Sequence, residues 1–413
     1  MEVKKRSSCQ VCNEILPIPS LDLGFHPMCD DLKKIGSNEV CKEYPIQISL
    51  CGKCLTANNL FNIKKELLFP KDYHFRPRFT IDVLNGMNDL VNECELDLGD
   101  LKEKIVCDVG CNDGSLLNFF KSKGCKTIGI EPTDAALDAK NQHEVIQNYF
   151  NDVSVKLFLE KYGNPDIITF TNVFAHTEDL QETIDCLVKM MKKTTYLIIE
   201  NHYLGTVVKT NQFDTFYHEH PRTYSKKSFD VISKKLNLDI CKIKFPSRYG
   251  GNIRVSLVKK NELKLNINYE SCQKFIDSIN EDFIQEYFLN IQNYIKKWKK
   301  KTKSTIDTLI NKGIKIFGKS FPGRAAVLIK LLNIDESIMP IVFEKDQSEK
   351  INHYVPSTRI RILSDRNWIE NKVSPELIII WGWHVAEEIK KYLRDNGYKG
   401  KIYVPLPEFR ELR

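Results

Sequence analysis

The stretch from Ile105 to Pro132, IVCDVGCNDGSLLNFFKSKGCKTIGIEP, constrains the fold more than any other part of this 413-residue chain. It reads as a buried strand, a glycine turn, a helix, a second strand and an acidic residue at that strand's end. Hydrophobic Ile105–Val109 runs straight into Gly110-Cys111-Asn112-Asp113-Gly114. Gly110 and Gly114 let backbone approach a ligand where a Cβ would clash. A helix from about Ser115 then offers free N–H groups and the positive end of its dipole. Glu131 follows Ile128–Ile130, where a carboxylate accepts the ribose hydroxyls of a nucleoside ligand. A plain strand–turn–helix with no ligand would not require an acid there. A dinucleotide fold would carry GxGxxG at this turn, and this chain carries GxNxG.

A chain of this length forms two or three domains. The net charge of +7 is spread, and its densest run, Lys296-Lys297-Trp298-Lys299-Lys300-Lys301, fits the solvated face of a helix better than a nucleic-acid groove. Mild basicity also suits an acidic, phosphate-bearing small substrate. The opening MEVKKRSS has no apolar core of a secretory signal, and no apolar run approaches a membrane span. The expectation is a cytoplasmic protein with neither nucleic-acid nor membrane partners, monomeric or weakly homo-oligomeric. Most of its 13 cysteines then read as small buried hydrophobes.

Four of them do not. Cys9-Gln-Val-Cys12 and Cys51-Gly-Lys-Cys54 are two CxxC knuckles. Two such pairs close a tetrahedral zinc site with no open position, which is a structural role. So short a segment buries little core, so a metal would supply its folding energy. Cys29 and Cys41 lie between the knuckles as alternative ligands, though neither has a CxxC partner.

The pattern predicts an α/β chain of three units. Residues 1–65 form the cysteine module. Residues 66–260 alternate strands and helices, with strands at Ile105–Val109, Thr127–Glu131, Asp166–Thr171, Tyr196–Glu200 and Ile253–Val258, which argues a doubly wound, mostly parallel sheet. Residues 261–413 open with long amphipathic helices from Ser271 to about Asn311. A second Rossmann-like alternation follows: strand Ile314–Phe317, helix Ala325–Leu332, strands Met339–Phe343 and Leu377–Trp381, and helix Ala386–Leu393.

Polar residues gather where strands of the central unit end. One strand runs into Asn172-Val-Phe-Ala-His176, the next into Glu200-Asn-His202, and Tyr217-His218-Glu219-His220 comes shortly after. Ligands of open α/β sheets sit outside the carboxyl ends of strands. Four of the nine histidines in neighbouring loops are hard to explain as packing alone. A metal site is the rival reading.

The GxNxG turn resembles motif I of S-adenosylmethionine (SAM) methyltransferases. That assigns Asp108, Gly110, Asn112, Gly114, Glu131 and Asn172 to the cofactor. Across essentially the whole chain, the order of motifs resembles the sugar C-methyltransferases that act on nucleotide-linked 4-keto-deoxysugars. These motifs are the two CxxC pairs, Asp72-Tyr73-His74-Phe75-Arg76, DVGCNDG, Asn172-Val-Phe-Ala-His176, Tyr217-His218-Glu219-His220, Gly250-Gly251-Asn252-Ile253-Arg254, Tyr354-Val-Pro356, and Ile378-Ile-Ile-Trp381 with Val404-Pro405-Leu406-Pro407. The resemblance implies an N-terminal zinc module on Cys9, Cys12, Cys51 and Cys54, a central SAM domain and a C-terminal Rossmann-like domain that holds nucleotide sugar. It implies an enzyme of deoxysugar or surface-polysaccharide biosynthesis that methylates the third sugar carbon. Tyr73 corresponds to a substrate-facing tyrosine, and Gly251, Asn252 and Arg254 to the substrate cleft.

Two departures bear on the substrate. The family's Gly-Gly-Ser is Gly250-Gly251-Asn252 here, preceded by Tyr249 where histidine is common. In the third unit, Gly318-Lys-Ser-Phe-Pro-Gly-Arg324 replaces a smaller alanine-rich loop that ends in lysine, and Arg324 can grip phosphate with two N–H groups.

The chemistry follows from the acidity of a hydrogen next to a ketone. A base near neutral pKa removes it, which suits histidine. The expected base is His220, oriented by its neighbour Glu219, with Tyr217 and His176 donating to the enolate oxygen. A sugar O-methyltransferase shares the SAM domain but activates a hydroxyl. A non-catalytic SAM-binding assembly protein has no use for the Tyr217–His220 cluster.

Overall fold

The computed structural model describes residues 2–413 except 371, 372 and 374. Its centre is a seven-stranded sheet: β1 Ile105–Val109, β2 Lys126–Ile130, β3 Glu144–Ile146, β4 Ile167–Thr171, β5 Tyr196–His202, β6 Asp239–Lys244 and β7 Asn252–Val258. The spatial order is 3-2-1-4-5-7-6. Strands β1 to β5 run parallel, and β7 lies antiparallel to both β5 and β6. Parallel strands covered on both faces need continuous apolar runs. Hence Val106, Ile167, Leu197 and Ile199 are all buried. The two strands absent from the sequence reading, β3 and β6, are edge strands with a largely half-buried or exposed pattern, which leaves only a weak hydrophobic signal.

Helices Ile81–Leu98, Ser115–Ser122, Asp152–Tyr162, Leu180–Met190 and Lys226–Leu236 cover the sheet. Three of these five helices start with side-chain caps. Asn151 and Ser225 form capping boxes with Ser154 and Ser228, and the Asp179 carboxylate accepts N–H bonds from Gln181 and Glu182.

The third unit begins with helices Tyr269–Ser278 and Phe283–Asn311. On the longer helix Trp298 is buried and donates to the Pro405 carbonyl, while Lys296, Lys297, Lys300 and Lys301 point to solvent. Its sheet carries five parallel strands in the spatial order Lys401–Val404, Leu377–Ile380, Ile316–Lys319, Ile341–Glu344, Arg361–Ser364. Helix Ala325–Leu332 follows the central one.

The cysteine module is wedged between the two sheets. Its strands Leu21–Pro27, Glu43–Leu50 and Ala57–Asn59 form an antiparallel sheet whose last member pairs with Arg222–Thr223 of the central unit, and Lys33–Lys34 pairs with His353–Tyr354 at the edge of the third sheet. Leu21, Ile46 and Ile48 pack in one core with Ile284, Phe288 and Leu328. Cys9, Val11, Cys51 and Cys54 pack in another with Phe174, Tyr224 and Phe229. The module therefore has little core of its own. Among the described residues, no helix is long and apolar enough to cross a membrane.

Candidate active site

Both doubly wound sheets turn their switch points to one cavity of about 890 Å³. In the central sheet the switch lies between β1 and β4. In the third it lies between Ile316–Lys319 and Leu377–Ile380. The volume sits near the top of the roughly 300–1,000 Å³ range of small-molecule sites. All three units supply walls, including Asp30, Tyr73, Asn112, Glu131, His220, Arg324 and His384.

The loop after β1 is shaped by left-handed residues: Gly110 at φ 69°, Asn112 at 50° and Gly114 at 80°. The Asn112 N–H donates to one Glu131 oxygen at 3.0 Å, and the Thr133 N–H and hydroxyl donate to the other at 2.9 and 2.6 Å. A carboxylate has about four acceptor positions, so Glu131 keeps capacity for a ligand. The Asn112 Oδ1 and Thr171 Oγ1 atoms are buried with no partner, beside apolar Ile130 and Phe150. Acceptors next to an apolar slot fit a nucleoside, so these residues suit the adenosine part of SAM.

The glycines serve differently from the sequence reading. A Cβ on Gly110 would meet the Val173 side chain at 2.4 Å, and one on Gly114 would meet His143 at 2.9 Å and Ala139 at 3.2 Å. Protein fills both spaces, and Gly114 is not a cavity wall. Asp108 accepts from the Thr169 hydroxyl at 2.6 Å, and burial pushes its carboxyl up to about 7. Asn172, at φ 55°, lines the cavity and accepts from the Asn252 amide at 3.3 Å.

The expected catalytic residues do converge. His220 lies with its ring centre 4.3 Å from Tyr217, 4.9 Å from His176 and 5.1 Å from His202. Their orienting partners differ from expectation. His220 Nδ1 donates to the Thr215 carbonyl at 2.9 Å, not to Glu219. His176 Nδ1 donates to the Glu219 carbonyl at 2.6 Å. A neutral imidazole has one N–H, so neither ring has a second one to donate; His220 presents an Nε2 lone pair, while the Asn172 carbonyl also faces the His176 ring. Burial holds His176 down at about 4 and His220 well below its ordinary value, so both are neutral at pH 7. His176, proposed from the sequence as a donor, has its N–H engaged by the Glu219 carbonyl.

The Glu219 carboxyl turns away to a junction of all three units. Tyr73 donates its hydroxyl to it at 3.3 Å, and the nearby Lys350–Asp30 pair is 3.2 Å apart. Burial, with Asp30 adding to it, raises Glu219 to about 8.

Gly251, Asn252 and Arg254 are not cavity walls. Arg254 pairs with Glu200 at 2.7 Å and Glu93 at 3.0 Å, and Asn252 donates to Glu200 at 2.9 Å. Burial alone would raise Glu200, but Arg248 and Arg254 hold it below its ordinary value. These three residues brace the site from behind. Arg324 does reach the cavity. It pairs with Asp214 at 3.3 Å, donates to His384 Nδ1 at 3.0 Å and lies over the Trp383 ring. His202, Tyr249, His384, Asp30 and Lys350 complete the wall without having been assigned from sequence. The strand-end rule had gathered His202 without giving it a role, and would have found His384. Asp30 and Lys350 carry no such signal.

The four knuckle cysteines meet, with Cys9–Cys54 sulfurs 3.5 Å apart, Cys12–Cys51 sulfurs 3.4 Å apart, and all four within 4.8 Å of one another. Zinc at about 2.3 Å from four thiolates would hold sulfurs roughly 3.8 Å apart, so the donor set fits that ion. Cys41 is engaged elsewhere, with the Asp31 carbonyl and the Ser357 N–H, and Cys29 packs under Gly323.

Two family models match the chain: a methyltransferase domain over residues 79–243 and a C-methyltransferase C-terminal domain over residues 247–407. The C-methyltransferase NovU of Streptomyces niveus is 21% identical over 98% of this chain and 97% of its own length. Among solved structures, magnesium protoporphyrin IX methyltransferase from Synechocystis PCC 6803 is 15% identical, covering 44% of this chain and 81% of its own, at a TM-score of 0.33. The PH0226 protein from Pyrococcus horikoshii OT3 is 13% identical, covering 47% and 98%, at 0.37. Scores this low support no statement about this chain. The fold and the matched models define a methyltransferase. The chain belongs to the SAM-dependent C-methyltransferase family.

Proposed function

We propose that this enzyme methylates the third carbon of a nucleoside-diphosphate-linked 4-keto-deoxysugar through an enolate. The observation that carries the reading is His220, whose Nδ1 is anchored on the Thr215 carbonyl and whose Nε2 keeps a lone pair, in the same cavity as His176, the β1 loop and Arg324. His220 Nε2 takes the proton from the carbon beside the ketone, and Thr215 fixes the ring through Nδ1. Tyr217 supplies a hydroxyl to the oxygen as it gains charge. His176 and Asn172 line the path between base and cofactor loop. SAM, when bound, supplies an electrophilic methyl that the enolate carbon takes as the carbon–sulfur bond breaks. Holding donor and acceptor close and aligned supplies much of the acceleration. The Ser320–Arg324 loop lines the part of the cavity that takes the nucleotide, and the cysteine cluster holds a structural zinc.

The test is mass spectrometry of products from dTDP-, GDP- and CDP-linked 4-keto-6-deoxyhexoses with SAM, in water and in deuterium oxide. A carbon-methylated product with solvent deuterium exchange at the same carbon supports the reading. Methylation on oxygen would replace it with the O-methyltransferase alternative.

Two variants probe the two ends of the cavity. Glu131→Ala removes a charged acceptor for the ribose, worth about 1.5–3 kcal/mol. S-adenosylhomocysteine should therefore bind roughly 10- to 100-fold more weakly by calorimetry. Unchanged affinity would remove Glu131 from the cofactor site. Arg324→Ala should raise the KM for sugar nucleotide by roughly tenfold or more, as expected for a lost charge-assisted bond, while S-adenosylhomocysteine affinity stays put. Equal loss of both would assign Arg324 to folding through Asp214.

A further inference from the structure

Two of the three histidines whose rings cluster in the cavity wall have committed their N–H groups to backbone carbonyls, His176 to Glu219 and His220 to Thr215. Neither neutral ring therefore has an N–H left for a ligand, and His220 faces the cavity with a lone pair. Lone pairs accept protons, but they repel the charge that builds on an enolate oxygen. Tyr217 is then the only donor left from those the sequence assigned. An oxyanion in a site that excludes water is strongly stabilised by additional aimed donors.

His202 is the third histidine. It ends β5 and lines the cavity, with its ring centre 5.1 Å from His220 and 5.7 Å from Tyr249. Among the described residues, neither of its ring nitrogens hydrogen-bonds to protein, and its ring is only half-buried. Polar groups inside a protein are ordinarily paired, so a ring left open on a ligand cavity finds its partner in the ligand. Burial, followed by Arg324, His176, His384 and Arg248, keeps it well below the ordinary imidazole value. It is therefore neutral, with one N–H, in a cationic field.

The ring is also held in place. Tyr249 sits in the left-handed region at φ 55°, ψ 20°, an unusual conformation for a bulky side chain. That backbone places its ring between His202 and His384, whose centre is 6.4 Å away. Strain of this kind gathers where a side chain must be aimed. Tyr249 thus ties His202 to the third unit.

The geometry points to His202 as a further catalytic residue, whose N–H donates to the ketone oxygen while His220 Nε2 takes the α-proton. This rests on the enolate reading above. The electrons of the C–H bond become the enolate, the proton resides on His220, and His202 keeps its own proton throughout. The donor role that the sequence suggested for His176 passes to His202.

Two variants separate this role from packing. His202→Phe keeps a ring against His220 and Tyr249 but has no N–H, and His202→Gln restores one. The probes are the same three 4-keto-6-deoxyhexose nucleotides. Loss of one oxyanion donor lowers turnover by about 10²–10³-fold. His202→Phe should therefore reduce both kcat and α-hydrogen exchange in deuterium oxide by that factor, with KM and S-adenosylhomocysteine affinity near wild type. His202→Gln should recover roughly tenfold or more of the loss. Exchange and turnover near wild type in His202→Phe would overturn the assignment. So would a joint loss of S-adenosylhomocysteine binding with no rescue by glutamine, which marks a packing role. If the wild-type protein exchanges no α-hydrogen and methylates none of the three on carbon, the enolate reading itself has failed, and that is visible without any variant.

Discussion

Replacing His220 with alanine should lower methyl transfer by about 10²–10⁴-fold, the usual effect of losing a positioned base, and leave S-adenosylhomocysteine affinity unchanged. The base acts on the sugar and its ring is anchored on Thr215, away from the β1 loop that faces the cofactor. Exchange of the α-hydrogen with deuterium should vanish in the same variant. The alternative base is His176, whose ring lies 4.9 Å from His220 in the same cavity. If His176 were the base, exchange would survive His220→Ala and disappear in His176→Ala. The pH profile gives a second check. A base must be neutral to work, and burial holds both rings below the ordinary 6.5. The acid limb of kcat/KM should therefore fall below pH 6.5, where an exposed histidine would already be protonated. A limb at or above 6.5 would exclude both.

Loss of a knuckle cysteine should have the largest effect on the fold. Structural zinc in small domains contributes on the order of 10–16 kcal/mol, as much as the whole stability of a typical domain, about 5–15 kcal/mol. Here the cluster lies in a core shared with Phe174 and Phe229, and the strands it anchors pair with Arg222–Thr223 and His353–Tyr354. Damage should spread into both sheets. Elemental analysis should give one zinc per chain for the wild type. Cys12→Ser should lower zinc content and reduce soluble yield or lower the midpoint of thermal unfolding. Unchanged zinc and unchanged melting would reject the site. The same substitution at Cys41 should leave zinc content alone, since its sulfur contacts the Asp31 carbonyl and the Ser357 N–H.

The strands that hold the site were legible because they are buried on both faces. Ile105–Val109 and Tyr196–His202 open with the apolar runs Ile-Val-Cys and Tyr-Leu-Ile-Ile, short ones between turns that suit strands. The helix Ala325–Leu332 falls where its apolar periodicity put it. Asp239–Lys244 was not legible, because an edge strand with a broken apolar pattern looks like a loop. Nor was the pairing of Lys33–Lys34 with the third sheet, since two lysines carry no signal for a partner some 320 residues away in sequence. The cavity residues divide in the same way. Tyr217, His220 and Asn172 were readable as chemistry at strand ends. Arg254 was assigned to the substrate cleft by resemblance alone, yet its guanidinium is taken up by Glu200 and Glu93.

By itself, the sequence determined the two doubly wound sheets, the paired knuckles, the acid after β2 and the gathering of histidines over the central sheet. All of these follow from local periodicity, turn residues and the rule that strand ends face ligands. Only the tertiary structure decided which carbonyl receives each imidazole N–H, that Glu219 serves Tyr73 rather than His220, and that His202 is left free. A hydrogen bond forms at about 3 Å or not at all. The partners that compete for each ring come from loops far apart in the chain, so the tautomer, and with it the division between base and donor, is set by packing.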